Sequence, residues 1–209
     1  MRLYADREEA GRHLAFALRD LELDAPLILG LPRGGVPVAR EVADGLDAPL
    51  DVLVVRKIGA PGHAEYGIGA IGEEGVEVLD EDAMRALRLE RADLEDTIAR
   101  ERTELQRRVQ RYRGDRAPTP LRDRTVVIVD DGLATGNTAR AAVAVVRQRG
   151  AGRVVIAVPV GAPPSIDELR RLADDVVCPH APTSFRAVGS WYGDFHQVTD
   201  DEVQAHLAA

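Results

Sequence analysis

The stretch T-V-V-I-V-D-D-G-L-A-T-G-N-T-A-R-A-A, residues 125–142, decides the fold. Val126 to Val129 form an uninterrupted apolar, β-branched run, the pattern of a strand buried on both faces of a parallel sheet. Asp130 and Asp131 stand where that strand ends, a Gly/Thr-rich loop follows, and an Ala/Val-rich helix begins. Open α/β sheets bind ligands beyond the carboxyl ends of their strands, so chemistry is expected here. The loop Ala134-Thr135-Gly136-Asn137-Thr138 at a helix N-terminus offers unpaired backbone N–H groups, the positive end of the helix dipole and two hydroxyls. That is a cradle for a phosphate monoester. It lacks the Gly-Lys-Ser/Thr of a Walker loop. Its acids come directly before the loop, whereas a dinucleotide fingerprint places them about 20 residues after it. Two adjacent carboxylates against a phosphate cradle suit a sugar phosphate, with the phosphate on the loop and vicinal hydroxyls on the acids.

Working outward, Asp6 caps a helix reaching about Leu21, with Ala10, His13, Leu14, Ala17, Leu18 and Leu21 at helical spacing. Leu27-Ile28-Leu29 reads as a buried strand running into a turn with Arg33 at its tip, and a helix opens at about Gly35 and ends near Gly45. Leu50 to Ile58 is the next strand, ending on Arg56 and Lys57. Residues 59–69, rich in glycine, read as a mobile loop carrying His63, Glu65 and Tyr66. Residues 70–79 form a small hairpin turning at Glu73-Glu74-Gly75. Residues 81–113 contain no Gly or Pro, and Met84, Leu87, Leu94, Ile98, Leu105, Val109 and Tyr112 keep helical spacing. This predicts one long amphipathic helix, or two with a break near 89–92. A single helix would span roughly 50 Å at 1.5 Å per residue, too long for the domain, so a break or a protruding arm with a structural or dimerising role is expected. After the opening stretch come a strand at Val154–Val158, a helix over 166–172 capped by Ser165, a short strand at Val176-Val177 and a closing helix over 200–207. Residues 179–199 have little periodicity and hold Phe185, Trp191, Tyr192 and Phe195. The alternation predicts one α/β domain over 1–209, a mostly parallel doubly wound sheet with its core over about 22–178, a helical insertion at about 81–113 and a small hood at about 179–199.

Composition narrows the partners. The 209-residue chain carries a net charge of −8, which disfavours non-specific binding to nucleic acid or anionic membrane. One cysteine excludes an intrachain disulfide and suits a reducing compartment. The first residues are charged with no apolar leader, and no apolar run approaches a membrane span, so a cytoplasmic protein is expected.

The run from Val126 to Asp131 followed by G-L-A-T-G-N-T resembles the phosphoribosyl-pyrophosphate (PRPP) motif of the type I phosphoribosyltransferases, within them a poorly characterised bacterial phosphoribosyltransferase-like group. The order of the other segments is similar from Leu27 to about Phe195. The resemblance implies that Asp130 and Asp131 hold the ribose hydroxyls and that Ala134, Thr135, Gly136, Asn137 and Thr138 hold the 5′-phosphate. It implies a pyrophosphate loop at Pro32-Arg33-Gly34-Gly35, where family members often hold a cis peptide. Read alone, that segment is a turn with an exposed arginine. It further implies a mobile catalytic loop over 57–69, in which Lys57, with Arg33, steadies the leaving pyrophosphate, and His63 and Glu65 touch a proton or nucleophile; His63 alone also reads as a solvated loop residue. A hood over the base, from Phe185, Trp191 and Tyr192, completes the site; those aromatics equally suit a satellite core.

The activity implied is displacement of pyrophosphate from PRPP by a nitrogen of a nucleobase or related heterocycle. Mg²⁺ would be held through the substrate, with Asp130 and Asp131 as possible protein ligands. A homodimer is implied, with no nucleic-acid or membrane partner. Ala134 stands where the 6-oxopurine enzymes carry an aspartate, so the resemblance leans toward the adenine or orotate branches. The alternative is a non-catalytic PRPP- or nucleotide-sensing protein that regulates a partner.

Overall fold

A computed structural model describes residues 2–209. The chain runs α1 (Arg7–Leu18), β1 (Leu27–Gly30), α2 (Gly35–Leu46), β2 (Leu50–Val52), β3 (Val55–Ala60), β4 (His63–Gly72), β5 (Glu77–Leu79), α3 (Glu81–Leu87), a 3-10 turn (Arg91–Leu94) and α4 (Glu95–Arg113). It continues through β6 (Thr125–Val129), α5 (Asn137–Gln148), β7 (Arg153–Ala157), α6 (Pro163–Leu169), β8 (Asp175–Val177), a 3-10 turn (Val188–Trp191) and α7 (Asp200–Ala208). Five strands form a sheet in the order β2-β1-β6-β7-β8, and every neighbouring pair is parallel. This is the predicted α/β, mostly parallel doubly wound sheet.

Side-chain alternation explains how both faces are covered. Leu27, Leu29, Val126, Ile128, Val154 and Ile156 pack with Ala142, Val143 and Val146 of α5. Their neighbours Ile28, Val127, Val129 and Val155 pack with Leu14 and Leu18 of α1 and Val38 and Val42 of α2. Each such side chain contributes about 1.5–3 kcal/mol by leaving water, which is why β6 lies in the middle of the sheet. Asp6 caps α1 as expected, accepting the Glu9 N–H at 2.8 Å.

Three expectations need correction. The strand over 50–58 divides: β2 joins the parallel sheet, and the chain then leaves it to begin β3. The loop over 59–69 is a hairpin, with β3 and β4 antiparallel and turning at Pro61-Gly62. Gly62 takes φ +74° in the turn, while at Gly69 a Cβ would meet Val78 O at 2.5 Å, and at Gly72, just beyond, one would overlap Val145 Cγ1. Ser165 lies inside α6, whose first turn is opened by Pro163 and Pro164, and so is not its cap. The hairpin at 70–79 is present as the β4–β5 pair, turning at the expected residues.

Residues 81–113 divide as the second of the two expectations describes. Asp80 caps α3, Arg88 ends it at φ +55°, and α4 starts at Glu95. Leu94, Ile98, Leu105 and Tyr112 are buried against Ile58, Ile68 and Ile71 of the hairpin sheet, so α4 roofs that sheet. α5 covers the other side of the hairpin, through Ala70 and Gly72. At the foot of α4, Arg113 is buried with Glu73: it pairs with Glu73 and Asp51 and donates to Val52 O at 2.7 Å, while Thr119 donates to Asp51 at 2.8 Å.

Removing one partner of a buried ion pair leaves an uncompensated charge. Arg113→Met is therefore expected to cost about 3–5 kcal/mol of unfolding free energy. Urea denaturation measures it, and a loss below about 1 kcal/mol, the scale of an exposed pair, would contradict the buried role.

Candidate active site

The site grows from the ends of β1 and β6. Leu31 N–H donates to Val129 O at 2.9 Å, which ties the segment after β1 to the last residue of β6. The chain then turns tightly: the Pro32–Arg33 peptide is cis, and Gly35 N–H donates to Leu31 O at 3.0 Å. Gly34 and Gly35 press against the acid pair. A Cβ on Gly34 would overlap Asp131 Oδ2, and one on Gly35 would stand 2.6 Å from Val129 O and 2.8 Å from Asp130 Cα. Only residues without side chains permit this approach. The Arg33 guanidinium is half-exposed and lies 3.9 Å from the Asp200 carboxylate at the start of α7.

Each acid has one oxygen engaged. Asp130 Oδ1 accepts the Asp131 N–H at 2.9 Å, and Asp131 Oδ2 accepts Arg7 Nε at 2.9 Å. Burial pushes Asp130 well above the ordinary carboxylate range, and the charge of Asp131 pushes it further. Burial raises Asp131 too, opposed by the charge and hydrogen bond of Arg7. The next loop is held from below, because Ser165 Oγ donates to Ala134 O at 2.6 Å. Gly136 adopts φ +72° and starts α5 without a side-chain cap. The first intrahelical bond is Arg140 N–H to Gly136 O, so the N–H groups ahead of Arg140 precede the helical ladder. Ala134, Thr135 and Thr138 are exposed around them. This end of the sheet presents an anion-accepting helix start, two carboxylates and a glycine turn bearing an arginine, within one strand-end cluster.

The hairpin residues lie on the other side of that loop. Lys57 lines a cavity of about 580 Å³ together with Tyr66, Asn137, Arg140 and Glu168, so it faces the start of α5. His63 is exposed beside the hairpin tip, in register with Ala60. The Glu65 side chain lies outside the described ones.

The segment over 179–199 is not independent of the chain's first residues. Leu3 and Tyr4 N–H groups donate to Trp191 O at 2.8 and 3.0 Å, and Gly193 and Asp194 N–H groups donate back to Tyr4 and Ala5 O. Tyr192 is buried; its hydroxyl donates to Asp131 O at 2.5 Å, and its ring lies against Tyr4 and Phe195. It therefore props the acid pair from behind. Trp191 meets His180 edge-on at 5.0 Å and stacks on Phe185 at 6.4 Å.

Sequence reasoning missed Arg7. It is buried, its Nη1 donates to His196 O at 3.0 Å, and its guanidinium lies 3.9 Å from the Phe195 ring centre. A trace was present: a cation at the first position of a capped helix opposes the dipole and needs a partner elsewhere.

Several known proteins are similar to this chain. The family model described as the phosphoribosyl transferase domain matches residues 3–192. Proteins from two Mycobacterium tuberculosis strains, each with a provisional phosphoribosyl transferase name, are 51% identical over 207 residues, which is 99% of this chain and 47% of theirs. The chain thus spans about half the length of the curated relatives it matches. The crystal structure of TT1426 from Thermus thermophilus superposes with a TM-score of 0.92 at 49% identity, over 99% of this chain and 98% of that one. AQ2163 of Aquifex aeolicus, at 13% identity and a TM-score of 0.50 over 84% of this chain and 74% of that one, shares the fold alone.

The buried acid pair carries a stability cost with a definite sign. Unfolded, the Asp130 carboxyl ionises near its ordinary value of 3.8; folded, it keeps its proton to higher pH. Stability is therefore lost as pH rises out of the ordinary carboxylate range, and the loss persists at neutral pH. Asp130→Asn is expected to melt above the parent protein at about pH 7, with the gap closing as pH falls toward 4. Melting curves across that range check it; a lower Tm at neutral pH contradicts it.

Proposed function

The chain belongs to the phosphoribosyl transferase domain family, and we propose that it moves the 5-phosphoribosyl group of PRPP to a nitrogen of a nucleobase or related heterocycle, releasing pyrophosphate. The observation that carries this reading is the contact of Gly34 and Gly35 with Asp130 and Asp131. It sets a glycine turn with N–H groups and an arginine beside two carboxylates, one strand away from a helix start suited to phosphate. A molecule bearing a diphosphate, a diol and a phosphate in that order matches the arrangement.

In this reading Asp130 and Asp131 accept the ribose hydroxyls through their unengaged oxygens. Residues 134–138 hold the 5′-phosphate by backbone N–H groups and the Thr135 and Thr138 hydroxyls. Pro32 to Gly35 wrap the diphosphate, and Arg33 neutralises it once free of Asp200. Lys57 faces the start of α5, so its cation serves the phosphate side of the sugar, and charge on the leaving diphosphate falls chiefly to Arg33. His63 and Glu65, near the hairpin tip, are the groups available to move a proton at the attacking nitrogen. The acceptor lies under the segment holding Phe185, Trp191 and Tyr192, of which Tyr192 acts by holding Asp131 O in place. Departure of pyrophosphate leaves positive charge on the sugar ring, as in glycosyl transfer generally, so positioning and neutralisation of the leaving group provide most of the rate.

The two carboxylates are hard oxygen donors with one oxygen each uncommitted, which fits a Mg²⁺ ion carried mainly by substrate phosphates and water. When bound, Mg²⁺ supplies charge neutralisation on the departing diphosphate. A dimer and a cytoplasmic location accompany the reading as part of the same proposal; among the described residues no helix is long and apolar enough to cross a membrane.

Incubation with PRPP, Mg²⁺ and a panel of bases, read by pyrophosphate release, tests the transfer. Tight PRPP binding with no release for any base would favour a PRPP sensor instead. Asp131→Asn and Thr135→Val are each expected to weaken PRPP roughly ten- to hundredfold in calorimetry with the fold retained, the scale of one charge-assisted hydrogen bond. Unchanged PRPP affinity in either variant removes the role assigned to that residue.

A further inference from the structure

Arg7 sits at a crossing that the transfer reading leaves unused. It is the first residue of α1, yet its side chain is buried and reaches the end of β6, 124 residues away in sequence. It donates to Asp131 Oδ2 and to His196 O, and it lies flat enough on Phe195 for a cation–π contact at 3.9 Å. Three fixed neighbours around one guanidinium hold it in a single orientation, so the Asp131 carboxylate it grips is held in one as well.

The far side of this crossing leads back to the diphosphate loop. Beyond the His196 carbonyl, the His196 ring lies 3.0 Å from Glu202 of α7. The first residue of α7, Asp200, accepts the Tyr112 hydroxyl at 2.8 Å and lies 3.9 Å from Arg33. The segment over 195–202 therefore touches the acid pair through Arg7 and the diphosphate loop through Asp200. The two ends of one bound substrate would be read by one stretch of chain.

We propose that Arg7 is a positioning residue, which fixes the Asp131 oxygen left for the ribose hydroxyl and joins the acid pair to the 195–202 segment. The inference rests on the PRPP reading above. The groups facing Asp131 are Asp130, Arg7 and the Tyr192 hydroxyl, with Tyr4 behind Tyr192; His196, Asp194 and Glu202 form the charged cluster on the adjoining segment.

The test compares the parent protein with Arg7→Met and Arg7→Lys. PRPP and, separately, inorganic pyrophosphate are titrated by calorimetry at one neutral pH. Carboxyl NMR follows Asp131 in the ligand-free proteins. Arg7→Met is expected to weaken PRPP about ten- to hundredfold and weaken pyrophosphate far less. The Asp131 carboxyl resonance should be single and sharp in the parent protein and broadened by exchange among rotamers in Arg7→Met, and Arg7→Lys should restore most of that order while recovering only part of the affinity. Equal weakening of both ligands with an unchanged Asp131 resonance would reduce Arg7 to a structural prop and overturn the proposal. If Arg7→Met does not fold, Arg7→Lys decides alone: parent-like PRPP affinity overturns the aiming role. If the parent protein itself does not bind PRPP, the functional reading fails, and the ligand-free Asp131 resonance still decides whether Arg7 holds that carboxylate in one orientation.

Discussion

No methyl group fits on Gly34 or Gly35, and the rest of the site depends on that restriction. The turn after β1 lies so close to the end of β6 that Asp131 Oδ2 and the Asp130 backbone occupy the space a side chain would need. The contact merges two strand ends into one continuous surface. It requires β1 and β6 to be neighbours in register, which the parallel pairing of Leu27 with Val126 through Gly30 with Val129 provides. It also requires a rigid base, supplied by β-branched side chains packed on both faces of β6.

The same closeness buries two carboxylates side by side, an arrangement that is costly without partners. The fold offsets part of the cost with hydrogen bonds from the Asp131 N–H and from Arg7, and it braces the Asp131 carbonyl with the Tyr192 hydroxyl. Those braces come from α1 and from the segment after β8, so regions outside the sheet set the electrostatics of its most acidic point. Residual destabilisation there is typical of sites organised for binding rather than for stability.

The central strand, its acids and the phosphate-type loop were legible because each is local: an apolar run, a polar end and a glycine turn at a helix start lie consecutively between Val126 and Thr138. The hairpin over 55–72 was not, because glycine has two meanings. At Gly69 and Gly72 it permits a strand or a helix to come close, while composition alone reads it as freedom to move. The helical region over 81–113 was legible in period, but Leu87, counted in its apolar stripe, is 42% exposed because Arg88 ends α3 there. Arg7 was hidden for a different reason. Its partners Asp131 and His196 are 124 and 189 residues away, and no local pattern encodes such a meeting.

That long-range meeting has a bearing on the order in which the protein assembles. The parallel sheet through β7 and its covering helices involves contacts that can form while the chain is still being synthesised, N-terminal parts first. The acid pair cannot acquire its brace until Tyr192 and His196 have emerged and the strip over 3–5 has found residues 191–194. Contacts of such separation close long loops, at an entropic cost that rises only slowly with loop length. A chain released before residue 191 would hold a recognisable sheet, a phosphate-type loop and two buried acids with their supports missing. The supports of the acid pair thus come from residues 3–7 and 191–196, far in sequence from the well-specified strand at its centre.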